Sequence, residues 1–132
     1  MTKIEVRKSA NSKQIVLINE KNAVLEVQEF DPSDLLAGAL AKCTRSTVDK
    51  EAQRRNYKVS NVGVKVDLDR NRETKVSTFM IHLEIEGEVT ESQLKNLHKA
   101  AEKSYIRRVL SQPIQLYSHV HFNGEKLSVS ID

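Results

Sequence analysis

Cys43 is the one residue in this chain able to act as a soft nucleophile, and it is the only cysteine. As a thiolate it would attack the O–O bond of a peroxide and become a sulfenic acid. A free thiol with a pKa of about 8.5 is only slightly ionised near neutrality, so that chemistry needs a nearby cation. The competing reading of a lone cysteine is a small buried hydrophobe. His119 and His121 lie two apart on a predicted strand, so their rings share a face and could hold one metal. No third ligand of suitable type is recognisable, and an exposed polar strand face explains the pair better. His82 and His98 read as ordinary polar-face residues. There is no glycine-rich phosphate loop, no Gly-x-Ser-x-Gly and no His-Glu-x-x-His. Neither a metal nor a cofactor is expected.

The elements that must position Cys43 follow from pattern. Ile4 to Arg7, Gln14 to Asn19 and Ala23 to Phe30 are short and β-prone, with Asn19-Glu20-Lys21-Asn22 as a turn, which predicts an N-terminal meander. Pro32 suits the first turn of a helix, with Asp31 as its cap and Asp34 at its positive end. The helix is expected to reach about Asn56. Its first half, Leu35 to Leu40, is apolar nearly all round and should be buried on every side, whereas its second half, with Asp49, Lys50, Glu51, Arg54 and Arg55, should emerge into solvent. Cys43 sits about three turns in, beyond the reach of the helix dipole. Thr44 and Thr47 read as packing or back-bonding hydroxyls.

Val62, Val64, Val66 and Leu68 alternate with polar residues, and Phe79, Ile81, Leu83 and Ile85 alternate likewise after the turn Asp69 to Glu73, which predicts an antiparallel hairpin covered on one side. Gly87 reads as a breaker after it. Thr90-Glu91-Ser92-Gln93 has capping-box spacing, followed by Leu94, Leu97 and Ala101 at helical intervals. The end of the chain predicts a strand over Ile114 to Phe122, a two-residue turn at Asn123-Gly124, and a strand over Lys126 to Ile131 with Leu127, Val129 and Ile131 on one face. The class is α+β with mostly antiparallel sheet.

At 132 residues the chain is one domain of ordinary size, residues 1–132, without linker, repeat or low-complexity tract. One cysteine excludes an intrachain disulfide. Met1 to Arg7 lacks the apolar stretch of a signal peptide, and no apolar run approaches a membrane span, so a soluble, cytoplasmic protein is expected. Lys and Arg number 21 against 18 Asp and Glu, a net charge of +3 that is too small and scattered for a nucleic-acid footprint. The densest basic spot, Arg54-Arg55, falls at a predicted helix end, where cations favour the dipole.

The segment Asp31-Pro32-Ser33-Asp34-Leu35-Leu36-Ala37-Gly38-Ala39-Leu40-Ala41-Lys42-Cys43-Thr44 resembles the thiol-peroxidase signature of the OsmC/Ohr family of hydroperoxide-detoxifying proteins. Ser104-Tyr105-Ile106-Arg107-Arg108-Val109-Leu110 stands where that family has Cys-Pro-hydrophobic-His/Arg-x-x-Leu, with Ser104 in place of the resolving cysteine and Tyr105 in place of the proline. The resemblance implies an OsmC-like fold, antiparallel sheets around a buried central helix, and an intertwined homodimer. It implies Cys43 as nucleophile, assisted by an arginine of the N-terminal strands that a glutamate near the helix start holds. Arg7 is the only arginine before that helix and so the candidate cation, without the glycine-rich loop that accompanies it in the family. Ser33 follows the proline where the hydroperoxide-active branch has glutamate. Asp34, one step later, matches a second branch and lies about half a turn round a regular helix from Cys43 at ~100° per residue. A serine hydroxyl cannot condense with a sulfenic acid to a disulfide, so turnover would require an external thiol reductant. Two functions follow from the resemblance: a one-cysteine peroxidase acting on small organic hydroperoxides or hydrogen peroxide, or a non-catalytic relative that binds an apolar ligand or serves assembly.

Overall fold

A computed structural model describes residues 2–9 and 14–127. Strands β1 (Ile4–Lys8), β2 (Ile15–Asn19) and β3 (Val24–Glu26) form an antiparallel sheet in that order. Helix α1 (Pro32–Arg54) follows, then the long antiparallel hairpin of β4 (Lys58–Arg70) and β5 (Ser77–Glu88), then helices α2 (Glu91–Glu102) and α3 (Tyr105–Leu110). A short hairpin of β6 (Val120–Phe122) and β7 (Glu125–Leu127) ends the described chain. The class is α+β with antiparallel sheets, as the alternation patterns require.

Local chemistry explains the element starts. Pro32 occupies the first turn of α1, and the Asp34 carboxylate accepts the Asp31 backbone N–H at 2.8 Å. At α2 the Thr90 hydroxyl accepts from the Gln93 N–H at 3.1 Å while the Gln93 side chain accepts from the Thr90 N–H at 3.1 Å, a reciprocal capping box. Asn123 and Gly124 both take positive φ, at 50° and 85°, the geometry of a two-residue hairpin turn.

The core joins α1, β4 and α2 through Val48, Ala52, Val62, Leu97 and Ala101, flanked by Tyr57, Val59, Leu83 and Ile85. Removing a side chain such as Leu97 from water contributes about 1.5–3 kcal/mol. The buried residues of α1 are Leu40, Thr44, Val48 and Ala52, a row at every fourth position on one face. This overturns the expectation that the second half of α1 emerges into solvent. Its charged residues occupy the remaining faces, while the small and β-branched row is pressed against β4 and α2. The first half lacks the all-round cover expected for it: Leu36 is 42 % exposed, and Gly38 and Ala39 are also exposed.

Further expectations change. The strand predicted over Ile114 to Phe122 shrinks to Val120–Phe122, because residues 113–119 find no strand to pair with among the described residues, and Leu116 and Tyr117 lie exposed. His119 therefore precedes the strand instead of sharing its face with His121, and no cluster of metal-ligating side chains occurs among the described residues. Of the predicted strand over Lys126 to Ile131, β7 realises the beginning, whereas Val129 and Ile131 lie outside the described residues. Gly87 does not follow the hairpin but lies inside β5, opposite Val59 at a register shift between Val59 and Asn61. The carboxyl end of α1 comes at Arg54 instead of Asn56, which takes a positive φ of 57° just beyond the cap.

Candidate active site at Cys43

Cys43 lies partly buried in the middle of α1, on the side that faces α3. The contact is specific: the Ile106 backbone N–H donates to Cys43 Sγ at 3.4 Å. Ile106 belongs to the first turn of α3, whose amide groups have no carbonyl partner within the helix and remain open to another acceptor. Thr47 Oγ1 donates to the Cys43 carbonyl at 3.0 Å, the back-bonding expected of that residue. Thus a backbone donor from a segment far along the chain points at the one thiol.

Ser104 caps this same turn. It is 1 % exposed, and its hydroxyl has no hydrogen-bond partner. Thr44, fully buried beside Cys43 in sequence, is in the same condition. A buried hydroxyl without a partner costs on the order of 1–3 kcal/mol, so Ser104 is not held there for stability by its oxygen. The position suits an atom content with an apolar site, as a thiol is.

Between α1, β5 and α3 lies a groove of about 360 Å³ lined by Leu40, Phe79, Ile81, Arg107, Leu110 and Ser111, with Cys43 itself outside the lining. Leu40 is one turn before Cys43 on α1, and Arg107 directly follows the residue whose N–H meets the sulfur. The groove therefore offers an apolar wall and one guanidinium. Sequence reasoning passed over Arg107, although the signal was present: it fills the His/Arg position of the second motif. Arg45, only two residues from Cys43, is committed elsewhere, its Nε donating to the Val62 carbonyl at 2.8 Å.

The other predicted site residues fall away from the thiol. Arg7 is exposed in β1 with its Nε 3.8 Å from Glu5 Oε1, paired with Val16 across the sheet. Asp34 serves as a capping acceptor at the start of α1 and lines a separate surface groove with Phe30 and Val66. Nine residues at 1.5 Å rise set it roughly 13 Å along the axis from Cys43.

A family model described as OsmC-like protein matches residues 25–118. Among solved structures, the chain is similar to an OsmC-like protein from Mycoplasma pneumoniae, with a TM-score of 0.65 and 16 % identity over 84 % of this chain and 87 % of that one. An OsmC-like hydroperoxide resistance protein from Jannaschia sp. aligns with a TM-score of 0.57 and 13 % identity, over 96 % of this chain and 95 % of that one. The organic hydroperoxide resistance protein OhrB of Bacillus subtilis gives 0.53 and 13 % identity, over 83 % and 89 %. No curated protein sequence matches. At these identities the structural likeness shows the fold.

Proposed function

The chain belongs to the OsmC-like family, and from that premise we propose that it is a one-cysteine, thiol-dependent peroxidase of the stress-response type, with Cys43 as nucleophile. The observation that carries the reading is the Ile106 N–H that donates to Cys43 Sγ, which fixes the sulfur of the one thiol against the segment that stands where the family has its second motif. In the first step the Cys43 thiolate attacks the distal oxygen of a hydroperoxide, the O–O bond breaks, and the alkoxide leaves as an alcohol after taking a proton from solvent. Cys43 is thereby oxidised to the sulfenic acid. An external thiol then condenses with it, releasing water and forming a mixed disulfide. A second external thiol displaces that disulfide, restoring Cys43 and leaving the reductant oxidised. Ser104 supplies no sulfur to this cycle.

Arg107 is, among the described residues, the cation best situated to orient the substrate, because it lines the groove and directly follows the residue whose N–H meets the sulfur. Arg7, by contrast, would reach the sulfur only across a subunit interface. Two relatives of this fold are described as hydroperoxide resistance proteins, which supports the reaction class. A cytoplasmic setting suits a lone reduced thiol, and no helix among the described residues is long and apolar enough to cross a membrane. The groove's walls, Leu40, Phe79, Ile81 and Leu110, favour a second reading, a non-catalytic protein that holds a small apolar ligand.

A peroxide pulse separates the two. Intact mass spectrometry is expected to show one added oxygen on Cys43, progressing to two unless external thiol is present, and no intrachain disulfide at any stage. A protein that stays unmodified under the pulse would favour the ligand-binding reading.

The proposal includes a homodimer. Leu36 in α1, Ile4 and Val6 in β1, and Val24 and Leu25 in β3 are all between 42 % and 62 % exposed, more apolar surface than a lone protomer should present. Sedimentation at micromolar concentration is expected to give about twice the 15.0 kDa chain mass, and a stable monomer would remove the dimer from the proposal.

A further inference from the structure

We propose that the cleft between the C-terminal end of α1 and helix α2 is a binding site for a diphosphate group. The cleft has a volume of about 250 Å³ and is lined by Glu51, Arg54, Arg55, Asn96, Lys99 and Lys103, with Ala100 also at its wall. Four cations and one carboxylate meet there. In sequence Arg54 and Arg55 looked like ordinary complements to a helix dipole; folding brings Lys99 of α2 and Lys103 at its C-cap opposite them.

The arginines are fixed in advance. Arg54 donates from Nη2 to Glu51 Oε1 at 2.7 Å and from Nε to Oε2 at 3.3 Å, and the Arg55 Nε also donates to Oε1. The Arg54 hydrogen bond, then that of Arg55, holds the Glu51 carboxyl down to about 2, so it stays ionised as a clamp across the physiological range. Asn96 Nδ2 donates to the Tyr57 hydroxyl at 3.0 Å, tying α2 to the chain just beyond the arginines. Glu51 leaves the Nη1 group of Arg54 outside its own hydrogen bonds, while the Arg55 guanidinium also meets the Tyr57 side chain.

The lysines have no such anchor. The two carboxylates of α2 are engaged by other residues, Glu91 with Lys95 and Glu102 with His98, both at 3.7 Å, and neither Lys99 nor Lys103 makes an ion pair among the described residues. With the clamp counted, four cations less one carboxylate leave three uncompensated positive charges. A diphosphate, whose phosphoryl groups each carry about −1.5 near pH 7, matches that excess, whereas a single phosphate neutralises about half of it. Guanidinium groups on one wall and ammonium groups on the other would engage the two phosphoryl groups separately.

Free pyrophosphate and the diphosphate of a nucleotide share this chemistry. Thermal unfolding of the full chain would be followed with pyrophosphate, ADP or sulfate at matched ionic strength, for the native protein and for K99Q/K103Q. Pyrophosphate is expected to raise the melting temperature of the native protein by several degrees, more than sulfate does, and to lose that effect in the variant. An ADP effect larger than that of pyrophosphate assigns the site to a nucleotide; an equal or smaller one assigns it to the free diphosphate. Without ligand at low salt, the variant is expected to be at least as stable as the native chain, since like-charge repulsion has been relieved. The proposal fails if sulfate matches pyrophosphate, if the variant keeps the pyrophosphate effect, or if the variant is destabilised without ligand, which would make the lysines structural.

Discussion

Ser104→Cys is expected to form a disulfide with Cys43 under mild oxidation, converting a chain with no internal cross-link into one that closes the loop between the two helices. The Ile106 N–H already lies 3.4 Å from Cys43 Sγ, and Ser104 is only two residues before it at the cap of the same turn. Its side chain is buried with no hydrogen bond to lose, so a thiol there removes an unsatisfied hydroxyl instead of breaking a contact. A disulfide needs a Cα separation of ~4.4–6.8 Å, and in the chain-entropy account a loop of this length would stabilise the fold by about 4 kcal/mol when closed. Mass spectrometry should show loss of two hydrogens, reversed by a reductant, with a higher melting temperature in the oxidised form. If both thiols react freely in the denatured chain yet no bond forms in the folded one, the assignment of Ser104 to the resolving position is wrong. The parent protein would then be a poor candidate for a peroxidase lacking that cysteine.

Gly87→Ala carries the largest expected loss of stability. Gly87 has φ of +146°, a conformation that side-chain-bearing residues rarely adopt, and a Cβ built there would lie 2.2 Å from the Lys58 carbonyl oxygen and 2.9 Å from Val59 Cα. Both obstacles are backbone of the paired strand at the irregularity between Val59 and Asn61. Neither can retreat without opening the hairpin end that leads into α2. Strain and clash together should destabilise the protein by about 3 kcal/mol or more, lowering the melting temperature by about 10 °C at fixed protein concentration. A change below about 1 kcal/mol would mean that β4 and β5 do not approach one another in this way.

The elements were largely legible because their signals are local. Alternation in Val62 to Leu68 and in Phe79 to Ile85, the proline after Asp31 and the capping box at Thr90 each act over a few residues, and the corresponding strands and helices form. So was the identity of the nucleophile candidate, since a lone cysteine in a motif is a property of residue order. The failures come where a segment needs a neighbour. Residues 114 to 119 have strand-forming composition but no strand beside them among the described residues, and a β-ladder needs a partner for its hydrogen bonds.

Sequence by itself determined the α+β class, the order of the two principal helices and the strands around them, the OsmC-like motif around Cys43 and the absence of a second cysteine at Ser104, though not helix α3. Only the tertiary structure decided what surrounds the thiol. It placed the Ile106 amide on Cys43, put Arg107 in the adjacent groove and left Arg7 beside Glu5. It also decided that α1 buries its second half through Thr44, Val48 and Ala52, and that Arg54 and Arg55 face Lys99 and Lys103. The physical reason is the range of the forces involved. Propensity, capping and alternation are settled within a turn or a pleat, whereas a hydrogen bond to sulfur or a cluster of cations depends on which faces of distant segments the burial of Val48, Val62 and Leu97 presses together.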